Sequence, residues 1–560
     1  MLKDVITPND WLAKLDLKDA YFTVPIDQSH QKYLCFLWEG QYFQFQCLAF
    51  GLASAPRVFT KIMKPVVSYL RRQGVRMIIY LDDMLFPNQT QEGLMTDLKL
   101  AEKTLTQLGF VINQEKSELI PTQQIEFLGH QLNSLTMSLS LPKSKITKIL
   151  NQCQKLVCQD WITVRELASL LGKFTDSIQA FFQAPLHYRV LQKVKNVGLR
   201  QNQGYDSKIM LNLEAKKEIK WWLAHLESFN GKTILTPVPE MVIETDASKQ
   251  GWGAYYNNTT IGGLWSIEEQ QKHINALELM VGMFAIKAFA KGKSNLNILL
   301  KMDNCSSVAY INRMGGTKSD TLSDLAKELW QWALSKNINI SAVHIAGLTN
   351  IRADHASRHW EDPSNWALRK DLFRELLRIF GPFEIDLFAN RLNRQLPVYC
   401  SWKPDPEAVG TDAFTMDWTQ MKRPDLFPPF CLIGKCLAKA RMQMTTMVIV
   451  TPVWQSQPWY PTILRMCIAS PILLPPCQNL LTSPQGESHP LTVNNSLQLA
   501  AWLVSGDLMA VKAFHKELHP FYYPLGVLEQ TSVTIAPGLN GIAGAVNGQL
   551  IHFMPLWPLS

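Results

Sequence analysis

The sequence predicts a multidomain chain of mixed α/β and α+β architecture. Its 560 residues are more than one hydrophobic core usually holds, so several domains are expected. Hydrophobic residues make up 47% of the chain and charged residues 18%, which excludes a disordered or low-complexity protein. Short β-strand patterns alternate with amphipathic helix patterns along most of the chain. Changes in these patterns suggest domains at 1–140, 141–238, 239–360, 361–470 and 471–560.

The charge balance is mildly basic. The chain has 55 Lys and Arg against 47 Asp and Glu, a net charge of +8, and residues 151–240 carry 12 basic against 8 acidic groups. A local positive balance suits a polyanionic partner. Basic residues with interspersed aromatics in 181–220 would suit a groove that follows a nucleic-acid backbone. A solvated helix face is the equally supported alternative for that stretch.

Cysteine usage and hydropathy predict the compartment. Ten cysteines without a C-x-x-C pair indicate reduced thiols, not a disulfide framework or a zinc ribbon. Met1–Asp10 is polar and lacks the apolar core of a signal peptide. Apolar stretches such as Leu279–Ile286 are too short to span a bilayer. We therefore expect an intracellular protein, in the cytoplasm, the nucleus or both, without a membrane partner.

Two acidic patches lie at predicted strands in residues 1–140. The first is L-D-L-K-D-A-Y at Leu15–Tyr21, and the second is Y-L-D-D at the end of the strand Met77–Leu81. An isolated Asp pair is usually a solvated turn, since adjacent like charges oppose joint ionisation. Here a second strand carries its own Asp, and three carboxylates converging from strands can hold two divalent ions for nucleotidyl transfer. These carboxylates are Asp16, Asp82 and Asp83.

Four motifs in order resemble a reverse transcriptase: L-D-L-K-D-A-Y-F, F-G-L-A-S-A-P-R-V-F-T-K at Phe50–Lys61, Y-L-D-D, and F-L-G-H at Phe127–His130. The resemblance implies a palm in 1–140 and a helical thumb or connection in 141–238. It makes the three aspartates catalytic ligands of Mg²⁺, with Mn²⁺ as the alternative ion. It also makes Tyr21 the residue that excludes ribonucleotides, and Lys116 a proton donor to pyrophosphate, unless it is a surface lysine. The remaining residues that it places against template, primer or dNTP are Phe50, Gly51, Pro56, Phe127 and Gly129.

Residues 239–360 contain a second set of carboxylates. Their β-β-β-α-β-α-β-α order, with the motifs T-D-A-S, A-L-E-L, M-D-N and N-x-x-A-D-x-x-S-R, resembles ribonuclease H. The resemblance implies four catalytic metal ligands that act on RNA in an RNA/DNA hybrid. An N-cap is the alternative role for the third carboxylate, and His344 is interpreted as a structural histidine at a strand end. The four ligands are Asp246, Glu278, Asp303 and Asp354.

Residues 361–470 form a third segment. A strand that ends in an acidic turn at Phe383–Asn390, the run F-P-P-F at Phe427–Phe430 and the strand Met447–Val450 resemble a phage-type adenine-N6 methyltransferase. Phe427 replaces the Asn or Asp whose carbonyl accepts the target amino hydrogen. We therefore expect a methyltransferase-like α/β segment without activity, with a packing domain as the alternative. For 471–560 we expect a tail with one helix, Ser496–Leu508.

The order of the three segments resembles DIRS-type retrotransposons. This resemblance implies an RNA-directed DNA polymerase with ribonuclease H activity, acting on an RNA template, a DNA primer, RNA/DNA hybrid and dNTPs. A tyrosine recombinase would be encoded separately. Only 15 residues precede Asp16, so we expect the fingers subdomain to be largely missing. The alternatives are a polymerase-dead nucleic-acid-binding relic and a nuclease that retains ribonuclease H alone.

Overall fold

A computed structural model of the chain describes residues 2–202, 204–359, 365–494, 496–518 and 541–556. The chain divides into two compact units, one of Met1–Val238 with Met314–Lys318 and the other of Pro239–Arg313 with Ser319–Ser560. The main division, between Val238 and Pro239, falls where the sequence predicts a domain boundary. Among the described residues, no helix combines the length and the hydropathy that a membrane span requires.

Residues 2–140 of the first unit form a helix-covered antiparallel sheet with a small second sheet. Short 3₁₀ turns lie at Ala20–Thr23 and Lys32–Leu34. The helices and strands are Leu2–Val5 (α1), Trp11–Lys18 (β1), Gln28–Gln31 (α2), Cys35–Trp38 (β2), Gln41–Gln44 (β3), Ala55–Arg72 (α3), Ile78–Tyr80 (β4), Asp83–Asn88 (β5), Gln91–Gln107 (α4), Val111–Ile112 (β6), Glu118–Thr122 (β7), Gln124–Phe127 (β8), His130–Asn133 (β9) and Ser138–Ser140 (β10).

Strand β1 is the centre of this sheet. It pairs antiparallel with β5, β6 and β7, while β4 pairs with the outer edge of β5. Helices α3 and α4 cover one face, and their buried residues, such as Phe59 and Leu98, share a core with Leu15 and Phe86 of the sheet. The sheet therefore holds β1 and β5 rigidly side by side.

Residues 141–238 are mostly helical, as predicted. Phe174 stacks on Trp222 with ring centroids 3.9 Å apart and planes 6° from parallel, in the centre of this helical core. A 3₁₀ turn lies at Ala184–His187. The elements are Lys143–Val157 (α5), Trp161–Thr163 (β11), Val164–Ser177 (α6), Arg189–Asn202 (α7), Lys208–Met210 (β12), Leu213–His225 (α8) and Lys232–Thr233 (β13).

The second unit begins with a five-stranded mixed sheet in residues 239–359. A 3₁₀ turn lies at Gly347–Thr349. The elements are Met241–Ala247 (β14), Gly251–Tyr256 (β15), Thr259–Leu264 (β16), Ile267–Gln270 (α9), Ile274–Phe289 (α10), Asn297–Met302 (β17), Cys305–Asn312 (α11), Asp320–Ser335 (α12), Asn339–His344 (β18) and Ile351–Arg358 (α13).

The strand order of this sheet is β16-β15-β14-β17-β18. The first three strands are antiparallel, whereas β14, β17 and β18 run parallel. Helix α10 is almost entirely buried, which fits its continuous apolar sequence. Helix α13 approaches β15 so closely that a Cβ on Gly253 would meet the backbone of Ala353 and Ser357. Glycine at position 253 therefore permits the helix to pack directly on the strand.

A second sheet follows in residues 365–556. Short 3₁₀ turns lie at Ala413–Thr415 and Phe430–Leu432. The elements are Ala367–Leu368 (β19), Lys370–Phe380 (α14), Cys400–Ser401 (β20), Gly410–Thr411 (β21), Asp425–Leu426 (β22), Ile433–Met442 (α15), Thr446–Pro452 (β23), Tyr460–Met466 (α16), Ile472–Leu473 (β24), Leu481–Thr482 (β25), Pro490–Val493 (α17), Leu499–Ser505 (β26), Leu508–Glu517 (α18), Ile542–Val546 (β27), Gln549–His552 (β28) and Met554–Pro555 (β29).

The strands of this sheet form a continuous row. Parallel bridges of Asp386 to Tyr399 and to Asp425 join β20 and β22 across the segment around residue 386. The row then continues through β23, antiparallel β26, β24 and β29. Alternate residues of β23, such as Ile449 and Val450, enter hydrophobic clusters on opposite faces. The result is a three-layer domain with helices on both sides of one sheet.

This sheet corrects two sequence predictions. The proposed boundary between 361–470 and 471–560 is wrong, because β23 from one side pairs with β26 from the other along seven residues. The predicted helix Ser496–Leu508 is also wrong, since Leu499–Ser505 is a strand. Its run L-A-A-W-L-V-S is buried on both faces and so shows no alternation, and short apolar runs of this kind do not distinguish strands from helices.

Candidate catalytic sites

Strands β1 and β5, at the centre of the first sheet, bring the first acidic residues together. Asp16 on β1 lies directly opposite Asp83 on β5, and the two side chains are close enough to share a hydrogen bond. The Leu17 amide donates to the Asp82 carbonyl over 3.2 Å, which ties the adjoining turn to β1. Asp16, Asp82 and Asp83 therefore lie together at one end of the β1–β5 pair. The sequence predicts this convergence.

A two-residue turn, Leu81 and Asp82, connects β4 to β5 and presents the second carboxylate. Tyr80 pairs with Asp83 across this turn, and Leu81 has φ of 56°. Such tight hairpins require a positive φ, which a non-glycine residue adopts at a cost of about 1–2 kcal/mol. Strained backbone of this kind persists where the surrounding structure enforces it, often at functional sites.

Close packing of the carboxylates changes their acidity. Burial, followed by the charges of Asp82 and Asp16, raises the pKa of Asp83 above its ordinary value, while Lys14 opposes the shift. The negative potential that opposes ionisation of Asp83 is the potential that attracts a divalent cation. Asp16, Asp82 and Asp83 thus fit a metal site, with oxygen ligands of the kind that Mg²⁺ and Mn²⁺ prefer.

An aromatic cluster adjoins the same turn. The Tyr21 ring lies 4.9 Å from the Phe50 ring and 5.5 Å from the Phe59 ring, measured between centroids. Burial, then the charges of Asp82 and Tyr80, raises the pKa of Tyr21, which places its phenol within electrostatic range of the acidic turn. Two residues assigned to substrate contact, Tyr21 and Phe50, therefore meet beside Asp82. Phe50 is 59% exposed, so its ring is accessible.

The remaining assigned residues of the Phe50 loop lead into a basic cleft. Gly51 has φ of 91°, a conformation that favours glycine, just before helix α3. Helix α3 contains five basic and no acidic residues. A cleft of about 980 Å³ separates it from the acidic turn, and the residues that line this cleft include Pro56, Lys64, Arg71, Arg72, Tyr80 and Leu81.

Lys116 lies in a turn fixed to the backbone of Asp16. The Asn113 amide donates to the Asp16 carbonyl over 2.8 Å, and the Asp16 amide donates to Ser117 Oγ over 3.0 Å. Lys116 itself is exposed. Sequence reasoning singled out Lys116 and missed the supporting roles of Asn113 and Ser117, which no motif among the quoted residues indicates.

The F-L-G-H motif is a tight hairpin between β8 and β9. Leu128 and Gly129 both have positive φ, and Phe127 pairs with His130 across them. Phe127 is buried in a hydrophobic cluster, whereas Leu128 is exposed and Gly129 is half-buried. His130 lies within 3.2 Å of the Asp176 carbonyl, which connects the hairpin to helix α6.

The second acidic site is more compact. Oxygen atoms of Asp246, Glu278 and Asp303 all lie within 4.8 Å of one another, and among the described residues this is the one acidic, His or Cys group that meets such a limit. Asp246 lies on β14, Glu278 on α10, and Asp303 directly follows β17. Asn304, and not Asp303, caps helix α11, so the N-cap alternative for Asp303 is wrong.

Glu278 is the most strongly perturbed member of this group. Burial, then the charges of Asp246 and Asp303, raises its pKa to about 9, although a hydrogen bond from the Ala247 amide opposes the shift. Its Oε2 is buried and has no hydrogen-bond partner among the described residues. A buried carboxylate oxygen without a partner is costly, and a divalent cation would satisfy it. The three residues therefore fit a metal ion.

Helix α13 supports this site from one side. Ser357 Oγ donates to Asp246 Oδ2 over 2.6 Å and opposes the rise that burial causes in the pKa of Asp246. The fourth predicted ligand, Asp354, is paired with Arg358 at 2.7 Å and lies outside the compact group, although its charge acts on Asp246. His344 Nε2 lies 3.1 Å from the Asp303 carbonyl. The sequence motif contained Ser357 but gave no reason to single it out.

The third segment contains a buried pair of carboxylic acids. Asp386 and Asp425 are bridged on neighbouring strands and only 4% exposed. Burial raises the pKa of Asp386 to about 6, and burial together with the charge of Asp386 raises the pKa of Asp425. Phe427 follows β22 and is half-buried near Phe430, with ring centroids 6.4 Å apart. The predicted acidic turn therefore has a partner, Asp425, that sequence reasoning missed.

Comparison with known families finds a match in the first unit. Residues 3–132 match the family "Reverse transcriptase (RNA-dependent DNA polymerase)". Residues 3–132 are a reverse transcriptase domain. The acidic residues 16, 82 and 83 all lie inside this domain, which agrees with the motif series read from the sequence.

Similar curated proteins extend beyond the reverse transcriptase domain. The enzymatic polyprotein of Cauliflower mosaic virus (strain D/H) is 24% identical over 366 residues, 62% of this chain and 50% of the viral protein. That of Carnation etched ring virus is 24% identical over 356 residues, 61% of this chain and 50% of its own length. The chain thus spans about half the length of these relatives, and it is similar to a retroelement protein that contains a reverse transcriptase.

Solved structures of foamy viral protease-reverse transcriptase also resemble the chain. One, in complex with double-stranded DNA, covers 61% of this chain and 58% of its own, with 17% identity and a TM-score of 0.38. Another, in complex with an RNA/DNA hybrid, covers 65% of this chain and 48% of its own, with 17% identity and a TM-score of 0.37.

Proposed function

We propose that this chain is an RNA-directed DNA polymerase that also cleaves the RNA of RNA/DNA hybrids. The observation that carries the proposal is the presence of two separate acidic sites, each at strand ends and each suited to divalent cations, the first of them within the reverse transcriptase domain. Both reactions require neutralisation of charge on a phosphodiester, for which paired metal ions are the common solution.

In the polymerase reaction, Asp16, Asp82 and Asp83 would hold the divalent ion, Mg²⁺ or Mn²⁺, which when bound would supply acidification of the primer hydroxyl and charge neutralisation at the pyrophosphate. The Tyr21 ring, braced by Phe50, crowds the sugar of the incoming dNTP and excludes a 2′-OH. The basic residues of α3 and of 151–240 bind the phosphate backbones of template and primer. Asn113 and Ser117 keep the backbone of Asp16 in place during the reaction.

In the hydrolytic reaction, Asp246, Glu278 and Asp303, together with Asp354, would hold divalent ions, which when bound would supply activation of the attacking water. Support comes from the strand order β16-β15-β14-β17-β18, in which Asp246 lies on β14 and Asp303 follows β17. Glu278 and Asp354 lie on helices α10 and α13, which both pack against β14. Ser357 orients Asp246, and the Ala247 amide orients Glu278. Recognition of the hybrid would depend on the 2′-OH and the minor groove.

The proposal extends to a DIRS-type retrotransposon. Its support is the order of the reverse transcriptase domain, the ribonuclease H-like sheet and the C-terminal sheet, in which β26 runs antiparallel to its neighbours β23 and β24. Phe427 stands where a methyltransferase needs a polar residue, so the C-terminal domain is proposed to lack transferase activity. A separately encoded tyrosine recombinase and an intracellular location belong to the same proposal.

Two matched substitutions test the proposal. Asp82→Asn should abolish primer extension with dNTPs and leave hybrid cleavage unchanged, whereas Asp303→Asn should do the reverse. Asp206→Asn is the control, because Asp206 is 81% exposed and is paired with Arg165 far from either acidic group in sequence. Loss of both activities in either variant would contradict two independent sites, and full activity in both would show that the assigned residues are wrong.

A second candidate function is a nuclease with ribonuclease H activity alone. The compactness of the Asp246, Glu278 and Asp303 group, which the palm aspartates do not match, favours it. In that case the wild-type chain would cleave the hybrid without extending a primer at any concentration of Mg²⁺ or Mn²⁺. A nucleic-acid-binding relic would do neither, yet would retain salt-dependent binding to the hybrid.

A further inference from the structure

One ion pair joins the two sheets of the second unit. Arg391 Nη1 donates to both carboxylate oxygens of Glu269, over 2.8 and 2.9 Å, and Arg391 Nη2 donates to the Leu264 carbonyl over 3.1 Å. Arg391 belongs to the loop after the segment around residue 386, whereas the other two residues belong to the five-stranded sheet and its helix α9. The side chains of Arg391 and Glu269 are only 10% and 15% exposed.

The contact is more specific than a surface ion pair. The Arg391 guanidinium also lies 4.9 Å from the centre of the Phe284 ring on helix α10, the helix that carries Glu278. Glu269 forms a capping box with Ser266 at the start of α9, so its carboxylate is already oriented. Arg391 thus donates to both carboxylate oxygens of a largely buried glutamate whose orientation is already fixed. Such a charge pair requires specific geometry, and loss of one partner leaves the other charge buried and unpaired.

The segment held by Arg391 continues to the second acidic site. Trp265 follows Leu264, is fully buried, and donates from its indole Nε1 to the Ser248 carbonyl over 3.0 Å. Ser248 Oγ donates to the Ser357 carbonyl over 2.7 Å, and Ser357 is the residue that holds Asp246. Ser248 also directly follows Ala247, whose amide holds Glu278.

We infer that Arg391 is a positioning residue for the second acidic site. By fixing Leu264 and Glu269, the C-terminal domain holds the Trp265 indole and, through Ser248 and Ser357, the orientation of two metal-binding carboxylates. The C-terminal domain thus contributes to the nuclease without contributing a residue to its site. The inference rests on the proposed function for its activity readout, whereas its metal-binding readout is independent of catalysis.

The experiment compares Arg391→Ala and Arg391→Lys with Arg394→Ala in the full chain. Arg394 is a matched control, because it pairs with Glu407 at 2.8 Å inside the C-terminal domain and is 36% exposed. Binding of Mn²⁺ is measured by titration calorimetry in the Asp82→Asn background, where the isotherm assigned to the second site is the one that Asp303→Asn removes. Hybrid cleavage is measured in parallel as a function of Mg²⁺ concentration.

Arg391→Ala should raise the Mn²⁺ dissociation constant and the half-saturating Mg²⁺ concentration together. The expected change in each constant is about 3- to 10-fold. This is smaller than the loss of about 10- to 100-fold in metal affinity that follows removal of a group in direct contact with a metal ligand. The maximal rate at saturating Mg²⁺ should stay within about two-fold of the wild type, since the ligands themselves are intact. Arg391→Lys should have a smaller effect on both constants, and Arg394→Ala should have none.

Two results would overturn the inference. One is an Arg391→Ala chain with the Mn²⁺ affinity and Mg²⁺ requirement of the wild type, and the other is an equal shift in Arg394→Ala, which would indicate general destabilisation. If Arg391→Ala does not fold, Arg391→Lys is the test variant, and unchanged Mn²⁺ affinity and Mg²⁺ requirement in that chain would overturn the inference. A wild-type chain that binds Mn²⁺ at this site but cleaves no hybrid would contradict the proposed function alone, and the Mn²⁺ isotherms would still decide the role of Arg391.

Discussion

The two acidic sites differ in how far the protein alone completes them. In the first unit, Asp82 and Asp83 are half-buried at a strained turn beside an open cleft and the exposed Phe50. In the second unit, Asp246 and Glu278 are only 4% exposed, and partners on β14 and α13 fix their orientation. The same ligand chemistry therefore occurs in an open and in an enclosed setting.

Under the proposed function, this difference matches the substrates that each of the two reactions must admit. A polymerase site accepts a new dNTP at each step and moves along its template, so its carboxylates benefit from an accessible position that the substrate completes. A hydrolytic site supplies only water and metal to a phosphodiester already bound, and a preorganised set of charges serves it better. Enclosure has an electrostatic consequence, since burial and the charges of Asp246 and Asp303 raise the pKa of Glu278 to about 9.

Glu278→Gln should have the largest effect. Hybrid cleavage should fall by more than about 10²-fold, because even partners that only orient metal ligands contribute about 10- to 100-fold. Primer extension should be unchanged, and the metal-free chain should be no less stable at pH 8, since glutamine needs no burial of charge. Cleavage assays and thermal unfolding measure these effects, with the exposed Glu268→Gln as control; retention of cleavage would remove Glu278 from the site.

Tyr21→Ala tests the open site. Removal of the ring should increase incorporation of ribonucleotides relative to dNTPs by on the order of 10²-fold, because exclusion of a single hydroxyl by shape is worth about that much. Competition between dGTP and GTP during primer extension measures the ratio. Tyr69→Ala, on the exposed side of α3, is the control. An unchanged ratio would show that Tyr21 does not contact the sugar.

The pH dependence of metal binding should separate the two sites. The pKa of Glu278 is raised to about 9, so cation binding releases its proton, and affinity should rise by up to about tenfold per pH unit between pH 6.5 and 9. Calorimetry with Mn²⁺ in the Asp82→Asn chain measures this slope. A pH-independent affinity would contradict a protonated Glu278.

The same raised pKa predicts a stability change of defined sign. Below about pH 4.5 the Glu278 carboxyl is protonated in both the folded and the unfolded chain. As pH rises towards 9, the folded metal-free chain binds more protons than the unfolded chain, so its free energy of unfolding should fall. Glu278→Gln should remove this part of the pH dependence.

Ser357→Ala should have the smallest effect of the series. Loss of the 2.6 Å hydrogen bond to Asp246 leaves a buried carboxylate short of one donor, at a cost of about 1–3 kcal/mol in the free energy of unfolding. The pKa of Asp246 should rise further, and the pH profile of cleavage should move to higher pH. Urea denaturation and the pH profile measure both, with the exposed Ser335→Ala as control. An unchanged profile would show that Ser357 does not tune Asp246.

The sequence predicted local features well where a hydrophobic pattern extended over many residues or a motif was specific. The helical character expected of 141–238 is present in the structure, and the D-D turn lies at the end of its hairpin strand. It failed for Leu499–Ser505, whose burial on both faces erases the alternation that marks strands. It also missed the Asp386–Asp425 and Arg391–Glu269 pairs, since both depend on contacts between residues distant in sequence.

The pairing of β24 with β29 has a consequence for biosynthesis. The five-stranded sheet that carries Asp246 has all its strands and helices once α13, which ends at Arg358, has been translated. The C-terminal sheet also needs its edge strand β29, Met554–Pro555. Domains fold as they leave the ribosome, the N-terminal ones first. The five-stranded sheet should therefore form early, before the C-terminal domain that carries Arg391 is complete. Ribosome-associated intermediates would then contain the second acidic site without the contacts of Arg391 to Glu269 and Leu264.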